Sequence, residues 1–507
     1  MQGKSDPNRG LLDAAALCRQ LVHEGSVEAF LADHRRRLFP DEAFADLFPS
    51  GRGRPSIPAD VVATVMVLQA LEGLSDREAA RALRDRISWK VACGLALDDE
   101  GFDYSVLTYW RTRLRASAAP ERIFDAVRAV IDATGVLAGR RRRALDSTVL
   151  DDAVATQDTV TQLISAIRRV RRLVPAAAAV AVSAHDYDCA AKPVIAWDDP
   201  LAKQALITAL VADALAVVEA VEHLVLGDEA ADAVGLLALV AGQDVEPGDE
   251  PGTWRIARRV APDRVISTVD PEARHTRKSP SQPRDGYKAH VAVEPETGLV
   301  TDAALTPANV ADAAMAPALL ADEEPGAQVL GDTAYGSGQL RSKLADAGHH
   351  ATIKPIPANP SIPGGFSRDD FVVDHETNTV TCPAGVTAVF GLTLVARFGA
   401  ACGSCPLRPR CTTSAKGRSL SLNLYDLELE AARRQAETRA FGREYRRWRP
   451  LVERTIAWLV AGGNRRLRYR GVARNQQWLM TRTAALNLRR LVRLGLDHDG
   501  TWVLAGA

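Results

Sequence analysis

Three short stretches, far apart in a chain of 507 residues, each hold one carboxylate in an otherwise apolar or basic setting. They are Leu145-Asp146-Ser147-Thr148, Gly331-Asp332-Thr333-Ala334-Tyr335-Gly336 and Arg449-Pro450-Leu451-Val452-Glu453-Arg454. The first two read as the ends of β-strands and the third as part of a helix. A fold that uses all three must bring two strand ends and one helix face together. Carboxylates gathered in this way suit hard divalent cations, which prefer oxygen donors. Paired divalent ions activate an oxygen nucleophile and relieve charge at phosphorus, so the pattern points to phosphodiester cutting and joining. Singly, each acid has an ordinary use. Asp146 could form a strand-end turn, Asp332 could cap the next helix, and Glu453 could pair with Arg449 one turn back.

A chain this long exceeds one ordinary core, so about two to four domains are expected. Lys+Arg and Asp+Glu balance at 63 each, which alone argues against a nucleic-acid partner. The balance hides a gradient. Between Ala431 and Arg490 there are sixteen Arg, no Lys and three acids. Arginine forks match phosphate, and one strongly basic end suits a polyanion bound locally. The N-terminus lacks the apolar segment of a signal peptide. No uncharged run reaches the length of a membrane span, so no membrane partner and a cytoplasmic location are expected. Seven Cys in a chain of this size do not suggest a disulfide scaffold.

Residues from about 11 to 120 read as helical. Ile57-Pro58-Ala59-Asp60 opens an apolar helix that Gly73 ends, and Ser75-Asp76-Arg77-Glu78 is a capping box for the next. A third helix follows Tyr104-Ser105 and carries Arg111, Arg113 and Arg115. The set suits a helix-turn-helix-like module or a plain bundle equally. Ala144 to Leu150 reads as a strand, followed by helices, including an amphipathic one from Leu201 to Leu226 whose stripe suits packing or dimer contact. Tyr287 to Val293 alternates, with Lys288 and His290 on the polar face. That face is expected to lie exposed or to touch phosphate near the acids. Glu296-Thr297-Gly298 turns the chain back through Leu299 to Leu305. Gln328 to Gly331 is a buried strand ending at Asp332. The order predicts an α/β fold with a mixed sheet.

Cys382, Cys402, Cys405 and Cys411 are spaced C-x₁₉-C-x₂-C-x₅-C within a short-stranded segment. Four thiolates could hold structural Zn²⁺ there; an iron–sulfur cluster and free thiols are the alternatives. Cys18, Cys93 and Cys189 are isolated and read as buried side chains.

The chain resembles the DDE transposases of bacterial insertion sequences, which have a ribonuclease H-like core. The resemblance is to the branch with an N-terminal helical domain and a Cys-containing insertion before the last acid. Its anchors are Gly51-Arg52-Gly53-Arg54-Pro55 leading to Gly73-Leu74-Ser75-Asp76-Arg77-Glu78; Leu145-Asp146-Ser147-Thr148; Gly286-Tyr287-Lys288-Ala289-His290; Thr306-Pro307-Ala308-Asn309-Val310-Ala311-Asp312; Asp332-Thr333-Ala334-Tyr335-Gly336; and Glu453 with its Arg-rich surroundings. It implies that Asp146, Asp332 and Glu453 form the catalytic triad and hold Mg²⁺ or Mn²⁺. It also implies a DNA-binding helical domain over 1–125 and a core beginning over 126–345 with a helical insertion at about 152–255. A Cys-rich β insertion over 346–427 and core-completing helices over 428–507 follow. The expected activity is binding of terminal inverted repeats, strand cleavage and transfer to target DNA by a homodimer or larger assembly, nucleoid-associated when bound to DNA. A ribonuclease H-like nuclease that does not join strands, or a non-catalytic DNA-binding remnant, are the alternatives.

The family's last helix often carries Tyr-x₂-Arg-x₃-Glu-x₆-Lys. Arg449 and Glu453 fit its middle, but Arg446 stands at the Tyr position, with Tyr445 one residue early, and Val460 at the Lys position. Arg454, Arg465 and Arg466 are therefore candidate phosphate contacts, with Arg449, Lys288 and His290. Asp151 and Asp152 are reserve candidates for the first acid.

Overall fold

The computed structural model describes residues 1–6, 10–189, 191–277 and 281–505. Its front is helical, as the caps predict. Helix α1 (Ala59–Glu72) is apolar on every side and almost wholly buried, as such a helix must be. Gly73 ends it in the left-handed region (φ 73°). Helix α2 (Asp76–Asp85) opens on a complete capping box. Glu78 N–H donates to Ser75 Oγ at 3.3 Å, and Ser75 N–H donates to the Glu78 carboxylate at 2.7 Å. Helix α3 (Ser105–Ala116) follows.

Strand β1 (Arg142–Asp151) starts a six-stranded mixed sheet. The others are β2 (Arg274–Arg277), β3 (Pro283–Glu294), β4 (Leu299–Pro307), β5 (Gln328–Gly331) and β6 (His350–Ile353). β3 pairs antiparallel with β1, β2 and β4, while β5 pairs parallel with β1 and β6 pairs parallel with β5. The hairpin turn falls at Glu296-Thr297-Gly298 as expected, with Gly298 at φ 73°.

Between β1 and β2, helices α4 (Thr159–Leu173), α5 (Pro200–Val221) and α6 (Asp228–Gln243) enclose an apolar cluster of their own. α5 is long and apolar enough to cross a membrane. Here Leu206, Leu210, Val217 and Val221 pack inside that cluster, whereas Leu224 lies beyond the end of the helix and is exposed. Helix α7 (Asp312–Leu319) and helix α8 (Gly338–Asp346) flank β5. Residues 366–422 form two small sheets around Phe371, Val380, Phe398 and Leu420.

The chain ends with helix α9 (Arg439–Val460), helix α10 (Val472–Arg493) and a hairpin, Leu496–Asp499 with Thr501–Leu504. α10 runs through the main core between the front helices and the sheet, so Val65, Trp110, Val291, Val452 and Leu488 belong to one cluster. Arg482, in the middle of α10, is buried. It donates to the carbonyls of Ala70 and Leu71 at the end of α1, and to those of Trp458, Leu459 and Ala461 at the end of α9. One guanidinium thus ties the carbonyl-rich ends of two helices to a third.

Candidate active site

β1 and β5 run parallel with Ala144 opposite Leu330. Two residues further along each strand stand Asp146 and Asp332, so the register alone sets these acids side by side. Asp332 leaves β5 and caps a tight turn, its Oδ1 accepting from Ala334 N–H at 2.9 Å. α9 packs across β1, β5 and β6 and supplies Glu453 one turn after Arg449.

The Arg449 guanidinium is buried among all three carboxylates. Its Nη2 lies 3.1 Å from Asp146 Oδ1 and 3.6 Å from Asp332 Oδ2, and its Nη1 lies 3.7 Å from Glu453 Oε1. Asp146 is deepest, at 14% side-chain exposure, against 45% for Asp332 and 69% for Glu453. The site is therefore a pocket with Asp146 and Arg449 at its floor and Glu453 at its rim. Burial pushes the Asp146 carboxyl above its usual range and the Asp332 charge adds to this, while Arg449 and the Ser147 N–H oppose it. Arg449 Nε and Nη1 are buried without a hydrogen-bond partner, so the guanidinium is held by charge more than by directed bonds.

Tyr445 belongs to this site although a fixed Tyr-x₂-Arg spacing misses it. Positions 445, 449 and 453 fall at successive fours, on one face of α9. Burial raises the Tyr445 phenol, and the carboxylates of Asp332, Glu453 and Asp146 add while Arg449 opposes. The ring stacks on Phe441 at 5.6 Å. Tyr335, fully buried beyond Asp332, has a hydroxyl with no partner. Pro450, inside α9 beside Arg449, has no N–H and so removes one helix bond there.

Lys288 and His290 share one face of their strand, as its alternation predicts, but that face is covered. Asp146 pairs with Val291 and Ser147 with His290. Side chains alternate across a sheet, so His290 and Lys288 face away from Asp146. That face is not exposed, because α7 covers it. Lys288 Nζ lies 2.9 Å from Asp312 Oδ1 and 2.7 Å from Val310 O. His290 has no exposure; it bonds Thr306 Oγ1 at 2.9 Å, and burial lowers its pKa to about 4. These side chains fasten α7 to the sheet; His290 is fully buried and Lys288 keeps 13% of its side chain exposed. Asp312, their shared partner, was not singled out from the sequence as a functional group.

The remaining candidates scatter. Arg454 is exposed. Arg465 reaches Val149 O at 3.1 Å, and its backbone extends the end of β1 through Asp151 N–H to Arg465 O at 2.8 Å. Arg466 is exposed beside Asp151, Asp152, Arg284 and Asp285. Asp151 pairs with Arg284 at 2.8 Å. Asp152 is buried, with Oδ2 unpartnered. Burial raises its carboxyl to about 6, and Asp285 and Asp270 add to this. A raised folded-state pKa means the stability cost is absent below the ordinary value near 4 and grows as pH rises through about 6. Asp152→Asn should therefore raise the melting temperature by about 1–3 °C at pH 8 and leave it unchanged at pH 4, read by thermal denaturation at both.

Cys382, Cys402, Cys405 and Cys411 line one small cavity with Phe366 and Phe398. None of the four forms a disulfide, and burial together with the other three raises Cys411 while Arg418 opposes this. Cys93 is buried, Cys18 half-buried and Cys189 exposed, the last against expectation. Among the described residues, no three His, Cys, Asp or Glu side chains stand close enough to hold a metal without moving.

Two family models match separate stretches. "Transposase domain (DUF772)" matches residues 21–113, over α1, α2 and most of α3. "Transposase DDE domain" matches residues 389–492, which include Arg449, Glu453 and three of the clustered cysteines. No curated protein and no solved structure matches the chain. With one transposase model at its front and a DDE transposase model toward its end, the family matches support a DDE-type transposase of an insertion sequence.

Proposed function

We propose that the chain binds the terminal inverted repeats of its own element, cuts DNA at Asp146, Asp332 and Glu453, and joins the freed 3′ ends to target double-stranded DNA. The observation that carries this reading is the convergence of the three acids on Arg449, from two strands and a helix. The strand order supports a ribonuclease H-like core: β4, β3 and β1 antiparallel, then β5 and β6 parallel beside β1, with the short β2 added on β3. Joining two element ends in one complex calls for a dimer or larger assembly.

The donor set fits Mg²⁺ or Mn²⁺, being three oxygen acids around a cation already needed to offset their repulsion. When bound, such ions lower the pKa of an attacking water or hydroxyl and stabilise charge at phosphorus. The protein's own residues do the positioning. Asp146 stays fixed by the Ser147 N–H at 2.9 Å and Asp332 by the Ala334 N–H. Glu453, at the rim, is the acid nearest to an incoming strand. Arg449 lies among the three acids that would hold such ions, and its fork suits a phosphate oxygen. Arg449→Gln should lower the metal-free melting stability by about 2 kcal/mol. It should also enlarge the stabilisation by Mn²⁺, since the competing charge is gone. Melting curves with and without Mn²⁺ check both; a smaller metal effect than wild type would contradict the competition.

The four cysteines around one cavity support a structural Zn²⁺ site that staples the small sheets of residues 366–422. Elemental analysis of the purified protein should find about one zinc per chain, and Cys405→Ser should lose it. Zinc absent from the wild type, or kept by the variant, contradicts the site.

The test of the whole reading is incubation of the protein with DNA bearing the inverted repeats that flank its coding region, with Mg²⁺. Nicking at the repeat ends followed by joined products is expected. Nicking without joining would leave a nuclease, and binding without nicking would leave a DNA-binding remnant.

A further inference from the structure

One group of charges is left without an explanation by the packing. Arg454 of α9 and Arg489 of α10 lie on the half-buried Trp458 ring, each guanidinium carbon 5.6 Å from the ring centre. Arg490 and Arg493 follow in the last turn of α10. Arg490 Nε donates to Thr297 O in the β3–β4 turn, which holds it in place without neutralising it. Among the described residues none of the four forms an ion pair with an acid. Burial holds the Arg489 and Arg490 guanidinium groups below their usual range, and the neighbouring Arg493 and Arg454 add to this by repulsion.

Four like charges held together cost stability. The negative end of α10 attracts Arg490 and Arg493, but it does not account for Arg454 and Arg489 on the indole of another helix. An anion does. The indole gives the two guanidinium planes a rigid backing, and forked donors suit phosphate oxygens. The stripe crosses two helices, which suits a ligand with repeated charges. Arg454 is also the residue next to Glu453, so a chain of phosphates lying on the stripe is carried past the rim of the acid pocket.

We propose that Arg454, Arg489, Arg490 and Arg493, arranged about Trp458, form a sequence-independent contact with the phosphate backbone of duplex DNA beside the acid pocket. This rests on the reading of the chain as acting on DNA. No base is read here, so any duplex should bind the stripe alike. The location is distinct from Arg465 and Arg466, which lie at the far end of β1.

The test uses the full chain and a short fluorescent duplex of arbitrary sequence, with binding followed by anisotropy over a range of salt. Arg454→Gln, Arg489→Gln and Arg493→Gln are combined; Arg490 is kept because it holds the turn. Each lost phosphate contact flattens the salt slope by about 0.9, so the triple variant should lose about 2–3 from the slope. At physiological salt it should bind about 10–100-fold more weakly. The matching triple Lys variant keeps most of the slope. Equal melting temperatures establish that the fold is intact. An unchanged slope in a folded triple Gln variant overturns the proposal. So does weakened binding of polyglutamate with duplex binding unchanged, which would assign the stripe to an acidic protein. Cleavage assays separate this from the proposed function: if the wild type binds duplex steeply but never cuts, that function fails while the stripe stands.

Discussion

Asp332→Asn should reduce Mg²⁺-dependent nicking by about 10³-fold or more while DNA binding stays within about threefold of wild type. The amide keeps the size of the side chain and can still accept from Ala334 N–H, so the turn after β5 survives. What it loses is the negative charge beside Asp146. Asp146→Asn and Glu453→Gln should act alike, since a shared ion needs all its charged donors. Binding is spared because the acids repel phosphate in the absence of metal, and the basic contacts lie elsewhere. Nicking gels and anisotropy on the same preparations read the two effects separately. Any variant that still cuts at the wild-type rate removes its residue from the catalytic set.

The second large effect concerns stability. Arg482→Met should destabilise the fold by about 3–5 kcal/mol. The chain of the new residue fills part of the space, but five carbonyls at two helix ends lose their donor. Burial and the nearby Arg489 lower the Arg482 pKa to about 10, so the charge is present at neutral pH, and Lys cannot reach all five oxygens. The ends of α1 and α9 should exchange their amide hydrogens faster than the rest. Because α9 carries Arg449 and Glu453, the variant should also take up Mn²⁺ more weakly, even below its melting temperature. Denaturant unfolding and hydrogen exchange check this; a loss below about 1 kcal/mol would mean that water replaces the guanidinium without cost.

The acids are legible in the sequence only as a set: a strand-end Asp after an apolar run and a Glu amid Arg on a helix are each ordinary alone, and their order and flanks together point to one site. The register of β1 and β5 then did the rest, and no local pattern could have revealed it. Helix α1 and the capping box at Ser75 were equally plain, since apolar content and cap chemistry act within a few residues. Lys288 and His290 misled because alternation shows that a strand has two faces, not which of them is covered. α7 covers the polar one, and Asp312 satisfies it. Tyr445 falls outside the motif because the motif fixes spacing at three, whereas a helix also aligns residues four apart. The Arg-rich end misled in part for a related reason. Composition counts charges but not their directions: Arg449 and Arg482 point inward to carboxylates and carbonyls, whereas Arg454 and Arg493 point out. β6, four residues long, and the C-terminal hairpin gave no periodic signal strong enough to separate them from loop.

Anomalous X-ray diffraction from crystals of the protein grown with Mn²⁺ reaches the metal site most directly. Manganese signal within ligand distance of Asp146, Asp332 and Glu453, with the Arg449 guanidinium displaced from among them, is the expected result. Crystals saturated with Mn²⁺ that show no signal there, with Arg449 still bridging the three carboxylates, would contradict a shared metal site.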